Sequence, residues 1–68
     1  MICILLADGF EEAEALIPCD LLRRAGFEVS LCGLSGKHVK GSHGVCVEAD
    51  IDVKDIVLET VEALSLIH

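Results

Sequence analysis

Basic residues are scarce in this chain. Lysine and arginine together number 5 against 12 aspartates and glutamates, for a net charge of −7. Nucleic-acid binding rests on clustered Lys and Arg that neutralise phosphates, so that function class is excluded. The same shortage gives poor footing on an anionic membrane surface. No apolar run approaches the ~20 residues of a membrane span. Met1–Ala7 is apolar but short and no basic stretch precedes it, so it reads as a strand and not as a signal peptide. C-x-x-C pairs and zinc-ligand spacings are missing. Repeats, low-complexity tracts and linkers are missing too.

What remains is short and apolar. At 68 residues the chain holds at most one small domain. Such a domain buries only about 60% of the surface its unfolded form exposes. Yet 53% of its residues are hydrophobic and its mean hydropathy is +0.62. That is more apolar surface than so short a chain readily hides, so it packs on a partner or belongs to something larger. Cys3, Cys19, Cys32 and Cys46 lie in apolar runs or on a helix, where free cysteine acts as a small hydrophobe. They read as structural thiols in a reducing compartment, the cytosol.

Ile2–Ala7 is apolar without alternation, the pattern of a strand covered on both faces. Asp8-Gly9 closes it, and Gly9 lets a backbone or ligand approach closely. A helix is expected over 11–25. Glu11, Glu12 and Glu14 suit the positive end of its dipole, and Arg23 and Arg24 suit the negative end. Gly26 then caps it, and Asp20 and Arg24 pair at i, i+4. Phe10, Ala13, Ile17, Leu21 and Ala25 form an apolar stripe, expected to face inward. Glu14 lies seven residues before Leu21, close to two turns, and so projects near that face. Glu12 is expected to point the other way, with Arg23. Pro18 cannot donate to the Glu14 carbonyl, which predicts distortion there.

Residues 27–34 read as a second buried strand, completing a right-handed βαβ unit with parallel strands. Residues 38–41 and 44–48 form a hairpin through Gly41-Ser42-His43-Gly44. Asp52 caps a short turn over 53–55. Beyond it, Val57, Leu58, Val61, Leu64 and Ile67 recur at helical spacing, which predicts a terminal amphipathic helix.

Ligand sites in open α/β folds lie beyond the carboxyl ends of the strands. The turn at 7–14 occupies that position, and Glu14 is its first candidate for chemistry. Asp8 resembles a phosphoacceptor only in place, because the paired acids and later lysine are missing. His38 and His68 read as solvent groups. His43 either faces a partner's pocket or stands in solvent. His38 and His43 near Cys46 match no recognised metal spacing, so no metal and no cofactor are expected.

Three stretches in order carry a family resemblance: Leu5–Ala15, Asp20–Val29, and Gly41–Val45 with Ala49-Asp50. Together they resemble the ThiJ/PfpI family over residues 1–56. The resemblance implies a flavodoxin-like three-layer α/β sandwich, of which this chain supplies the first βαβ unit and the following hairpin. It also implies a homodimer, here through helix 11–25 and the hairpin. Family members act on small aldehydes or glycated groups as glyoxalases or deglycases, and some are stress-response proteins. Their centre is a reactive Cys on a nucleophile elbow with a Glu beside it. Glu14 matches that Glu by motif position, as acid/base partner of the Cys; Gly9 and His43 are its pocket candidates. A carboxyl held against an apolar face is desolvated, which favours its neutral form.

None of the four cysteines has the family's strand-to-turn setting. Residues 57–68 read as an atypical helical tail outside the family-like part. The expectation is an amino-terminal portion of a family member that lacks the nucleophile and is inactive alone. The alternatives are a non-enzymatic dimerising or regulatory module, or a truncated product without function.

Overall fold

The computed structural model describes residues 1–67. β1 (Ile2–Leu6) leads into α1 (Glu12–Arg24) and β2 (Val29–Gly33). β1 and β2 run parallel, Ile2 opposite Val29 through Leu6 opposite Gly33, so the expected βαβ unit is present. β3 (His38–Lys40) and β4 (Cys46–Glu48) form the expected antiparallel hairpin, with Val39 opposite Val47. β5 (Ile51–Asp52) adds two residues to the outer edge of β2. The Asp52 carboxylate then accepts from the Lys54 amide at 3.1 Å and starts a 3-10 turn over Val53–Asp55.

Residues 57–67 are not a helix. A 3-10 turn covers Leu58–Thr60, and Ala63–Ile67 form β6, parallel to β1 with Ile4 opposite Ser65. The sheet order is β5-β2-β1-β6. A short apolar run reads as helix or strand equally well by periodicity. Here the open edge of β1 decides, because pairing satisfies the backbone groups of both strands. Anchors at the start of β1 assist. The Met1 amine donates to the Thr60 carbonyl at 2.8 Å and to Glu62 at 3.0 Å, and the Glu62 amide donates to the Met1 carbonyl at 2.8 Å. His68 lies outside the described residues.

Side chains alternate along a strand, so Ile4, Leu6, Val29 and Leu31 share one face of the sheet. They pack with Phe10, Ala15, Cys19, Val39 and Ala49 in the core beneath α1. Of the stripe expected to face inward, Phe10 ahead of the helix is buried, but Ala13, Ile17, Leu21 and Ala25 are not. Ile17 is 56% exposed and Leu21 59%, whereas Glu12, Ala15 and Cys19 are buried. Small Ala15 and Cys19 let the helix sit close on the sheet. Arg23 shares the inner side, as its spacing from Glu12 requires. Its guanidinium donates to the Val29 carbonyl at 2.8 Å and to Asp50 at 2.8 Å, tying the helix end to β2. Asp50 also accepts from the Leu31 amide at 2.9 Å. The helix runs unbroken through Pro18. Arg24 and Asp20 pair at 3.1 Å on the outer surface, as expected.

Candidate functional site

The turn after β1 is stitched to the hairpin. The Gly9 amide donates to the Lys40 carbonyl at 2.8 Å, the Lys40 amide to Asp8 at 3.3 Å, and the Ser42 amide to the Phe10 carbonyl at 2.9 Å. Gly9 has φ +83°, a left-handed conformation that favours glycine. Phe10 is fully buried and anchors the turn from below.

Glu12 is the centre of this region. One carboxylate oxygen accepts from the His43 amide at 2.8 Å and, more weakly, the Val45 amide at 3.4 Å. The other lies 2.9 Å from His43 Nδ1 and 3.5 Å from the Ser42 hydroxyl. Burial pushes the Glu12 carboxyl up, but the His43 ring and the backbone N–H donors outweigh it and hold it at about 2. The bond to Glu12 raises His43, and the charges of Glu11 and Glu12 add to this. Gly41 is buried against the same group, and a Cβ there would run into the Glu12 carboxylate. The hairpin turn is therefore moulded around one carboxylate.

Glu14 stands two residues on, about 200° around the helix. It shares the outer face with Ile17 and Leu21, as its spacing requires, but that face is exposed. The expectation of a desolvated, inward Glu14 is thus corrected, and so is that of an outward Glu12. The sequence reading missed Glu12. Its signal was the small-residue turn Gly41-Ser42-His43-Gly44, which offers amides and no bulk opposite the helix start.

The structure brings Gly9 and His43 to the same end of the sheet, with Glu12 between helix and hairpin. Glu14 makes no side-chain hydrogen bond or ion pair with them among the described residues. Glu11, Glu12 and His43 bring three donor atoms within 4.8 Å of one another. Both Glu12 oxygens already accept N–H donors, so hydrogen bonding accounts for that arrangement. The four thiols are unpaired by disulfides; Cys3, Cys19 and Cys32 are buried and Cys46 is exposed. Burial raises Cys19, and burial together with neighbouring Cys3 pushes Cys32 up to about 12. A thiol nucleophile needs the opposite shift.

Comparison with known proteins agrees with this fold. The model of the DJ-1/PfpI family matches residues 1–67, so the match takes in β6. An uncharacterized protein of Staphylococcus epidermidis is 39% identical over 64 residues, covering 93% of this chain and 37% of that protein. A protein of Thermococcus kodakarensis named as a deglycase is 31% identical over 65 residues, covering 96% of this chain and 39% of its own length. The solved structure of oxidized Toxoplasma gondii DJ-1 superposes with a TM-score of 0.84 at 34% identity, over 100% of this chain and 39% of that one. The chain thus spans under two fifths of the length of these relatives.

Proposed function

The chain belongs to the DJ-1/PfpI family, and on that premise we propose that it supplies the amino-terminal part of a Cys-dependent enzyme. The substrates are small aldehydes or glycated adducts, in line with the relative named as a deglycase. Glu14 is the acid/base partner of a thiol carried outside these 68 residues. One observation carries this reading. Of the carboxylates at the start of α1, Glu12 is consumed by the hairpin and Glu11 lies 3.8 Å from His43, while Glu14 stands clear of both. It is exposed near the end of the sheet where ligands bind in such folds. A free carboxylate can exchange a proton with an incoming thiol or substrate. Gly9 and His43 are its pocket candidates by family resemblance, at the same end of the sheet.

A fusion tests it: this chain joined to the last two thirds of the S. epidermidis relative, assayed for methylglyoxal consumption. Turnover that is lost in Glu14→Gln is expected. Turnover at full rate in Glu14→Gln overturns the role of Glu14, and no turnover in the unaltered fusion overturns the enzyme reading.

A non-enzymatic dimerising module is the second reading. It is favoured by the outer face of α1, where Ile17 and Leu21 are more than half exposed. A homodimer through α1 and the hairpin would cover them. Free thiols throughout suit a reducing cytosol. No helix among the described residues is long and apolar enough to cross a membrane.

A further inference from the structure

Every aspartate but one is followed by a bulky side chain. Asp20 precedes Leu21, Asp50 precedes Ile51, Asp52 precedes Val53 and Asp55 precedes Ile56, whereas Asp8 precedes Gly9. Asparagine is missing from the chain. The amide nitrogen of a following residue can attack an aspartate side-chain carboxyl and close a five-membered succinimide. Leucine, valine and isoleucine crowd that approach, and glycine leaves it open. The sequence therefore concentrates this chemistry in one bond, in the turn between β1 and α1.

The fold cannot dispense with that glycine, because φ at Gly9 is +83° and any side chain there is strained. Asp8 and Gly9 are both exposed, so water reaches the bond. The hairpin holds both reacting groups instead. The nucleophile, the Gly9 amide nitrogen, donates to the Lys40 carbonyl at 2.8 Å. The electrophile, the Asp8 carboxyl, accepts from the Lys40 amide at 3.3 Å. The Phe10 amide donates to the Ala7 carbonyl at 3.1 Å and fixes the turn around them. Ring closure swings the Gly9 nitrogen onto Cγ of Asp8, so both contacts to Lys40 must break first. Glu12 keeps the hairpin in place through the His43 ring at 2.9 Å and the His43 amide at 2.8 Å.

We propose that Asp8-Gly9 is a site of spontaneous isoaspartate formation, held shut by the hairpin and opened when the Glu12–His43 clasp lets the hairpin go. The Gly9 nitrogen bonds to Cγ of the protonated Asp8 carboxyl, and the carboxyl OH leaves with the amide proton as water. Hydrolysis returns that water. Cleavage between the Gly9 nitrogen and the main-chain carbonyl of Asp8 gives isoaspartate, and cleavage of the new bond restores aspartate. No oxidant or cofactor enters, and the mass is unchanged. Isoaspartate lengthens the main chain by one methylene, about 1.5 Å, just ahead of Phe10 and α1. The site stands on the turn geometry. Its consequence rests on the enzyme reading above: the longer turn displaces Glu14 from the end of the sheet, so aged chains lose turnover.

The test ages the full chain at 37 °C near neutral pH, then denatures it and probes it with isoaspartyl methyltransferase and labelled S-adenosylmethionine. Fragmentation of the tryptic peptide Met1–Arg23 localises the label. Isoaspartate is expected at Asp8 alone, forming about tenfold or more slower in the folded chain than in urea, because it arises from open conformers only. His43→Ala leaves the Glu12 carboxylate its backbone donors. It is expected to speed the reaction severalfold while circular dichroism stays that of the parent. Asp8→Asn closes the same ring with loss of ammonia, so its deamidation, read by mass, is expected to show the same acceleration on adding His43→Ala. Label that persists in Asp8→Glu overturns the proposal, as does a folded chain that ages as fast as the unfolded one. A His43→Ala chain that keeps the parent's rate in both readouts overturns it too. In the fusion described above, turnover is expected to fall in step with the label. Turnover indifferent to the label overturns the displacement of Glu14. An inactive fusion overturns the enzyme reading, while the label still reports the site.

Discussion

The Glu12 carboxylate and the His43 ring lie 2.9 Å apart and hold the start of α1 to the hairpin turn. The bond ties the residues after β1 to a segment about thirty positions later. The same carboxylate takes the amides of His43 and Val45, so losing it orphans several donors at once. Glu12→Ala is therefore expected to lower the thermal midpoint clearly. Glu14→Gln, on the exposed face, is expected to leave it within about 0.5 kcal/mol of the parent. Thermal melts of the two variants side by side check this ordering.

The pair also sets a pH dependence. Glu12 titrates at about 2 in the fold against an ordinary 4.5, so its contribution is complete above 4.5 and is lost as pH falls toward 2. His43 is raised from 6.5, so its contribution is complete below 6.5 and is lost as pH rises through its folded value. The clasp is strongest between 4.5 and 6.5. Stability is expected to decline on both sides of that window, with the alkaline decline abolished in His43→Ala. Urea melts across the pH range measure both limbs.

Gly41 carries the steric side of the same arrangement. Its α-carbon faces the Glu12 carboxylate so closely that a methyl group displaces it. Three kinds of donor fix the carboxylate in place, so it yields only by giving up bonds. Gly41→Ala is expected to cost about 1–3 kcal/mol, the usual penalty of overpacking. The cost should shrink in a Glu12→Ala background, where the clash is gone. A double-mutant cycle measures that coupling.

The sequence made the βαβ unit and hairpin readable because each element carries its own punctuation. Gly9, Gly26 and the 41–44 turn bound segments of clear period. Helical spacing also placed Glu14 with Leu21 and Glu12 with Arg23, and both groupings hold. Which side faced the sheet was not readable. Both stripes satisfy the same spacing, and the bulkier one, Ile17 and Leu21, lies outside. The choice came from contacts distant in sequence: Arg23 to Val29 and Asp50, and Glu12 to the hairpin amides. β6 was misread for a similar reason. Its helical spacing is real, but the open edge of β1 outbids it, and no local signal reports that edge.

Thiol reactivity separates the four cysteines. Cys46 is exposed on β4, whereas Cys3 and Cys32 are fully buried and Cys19, on the inner face of α1, is 4% exposed. Only a thiolate attacks a disulfide reagent, and it must be reached. Burial raises Cys19 and pushes Cys32 up to about 12, so both are slow on two counts. An aromatic disulfide reagent at pH 8 is expected to label one thiol rapidly and the other three only in denaturant. Cys46→Ser should remove the rapid phase and leave the slow ones. A rapid phase that survives this change would mean that a buried thiol becomes accessible in the native state. If that phase is lost in Cys3→Ser or Cys32→Ser, the face of the sheet opposite α1 is the part that opens.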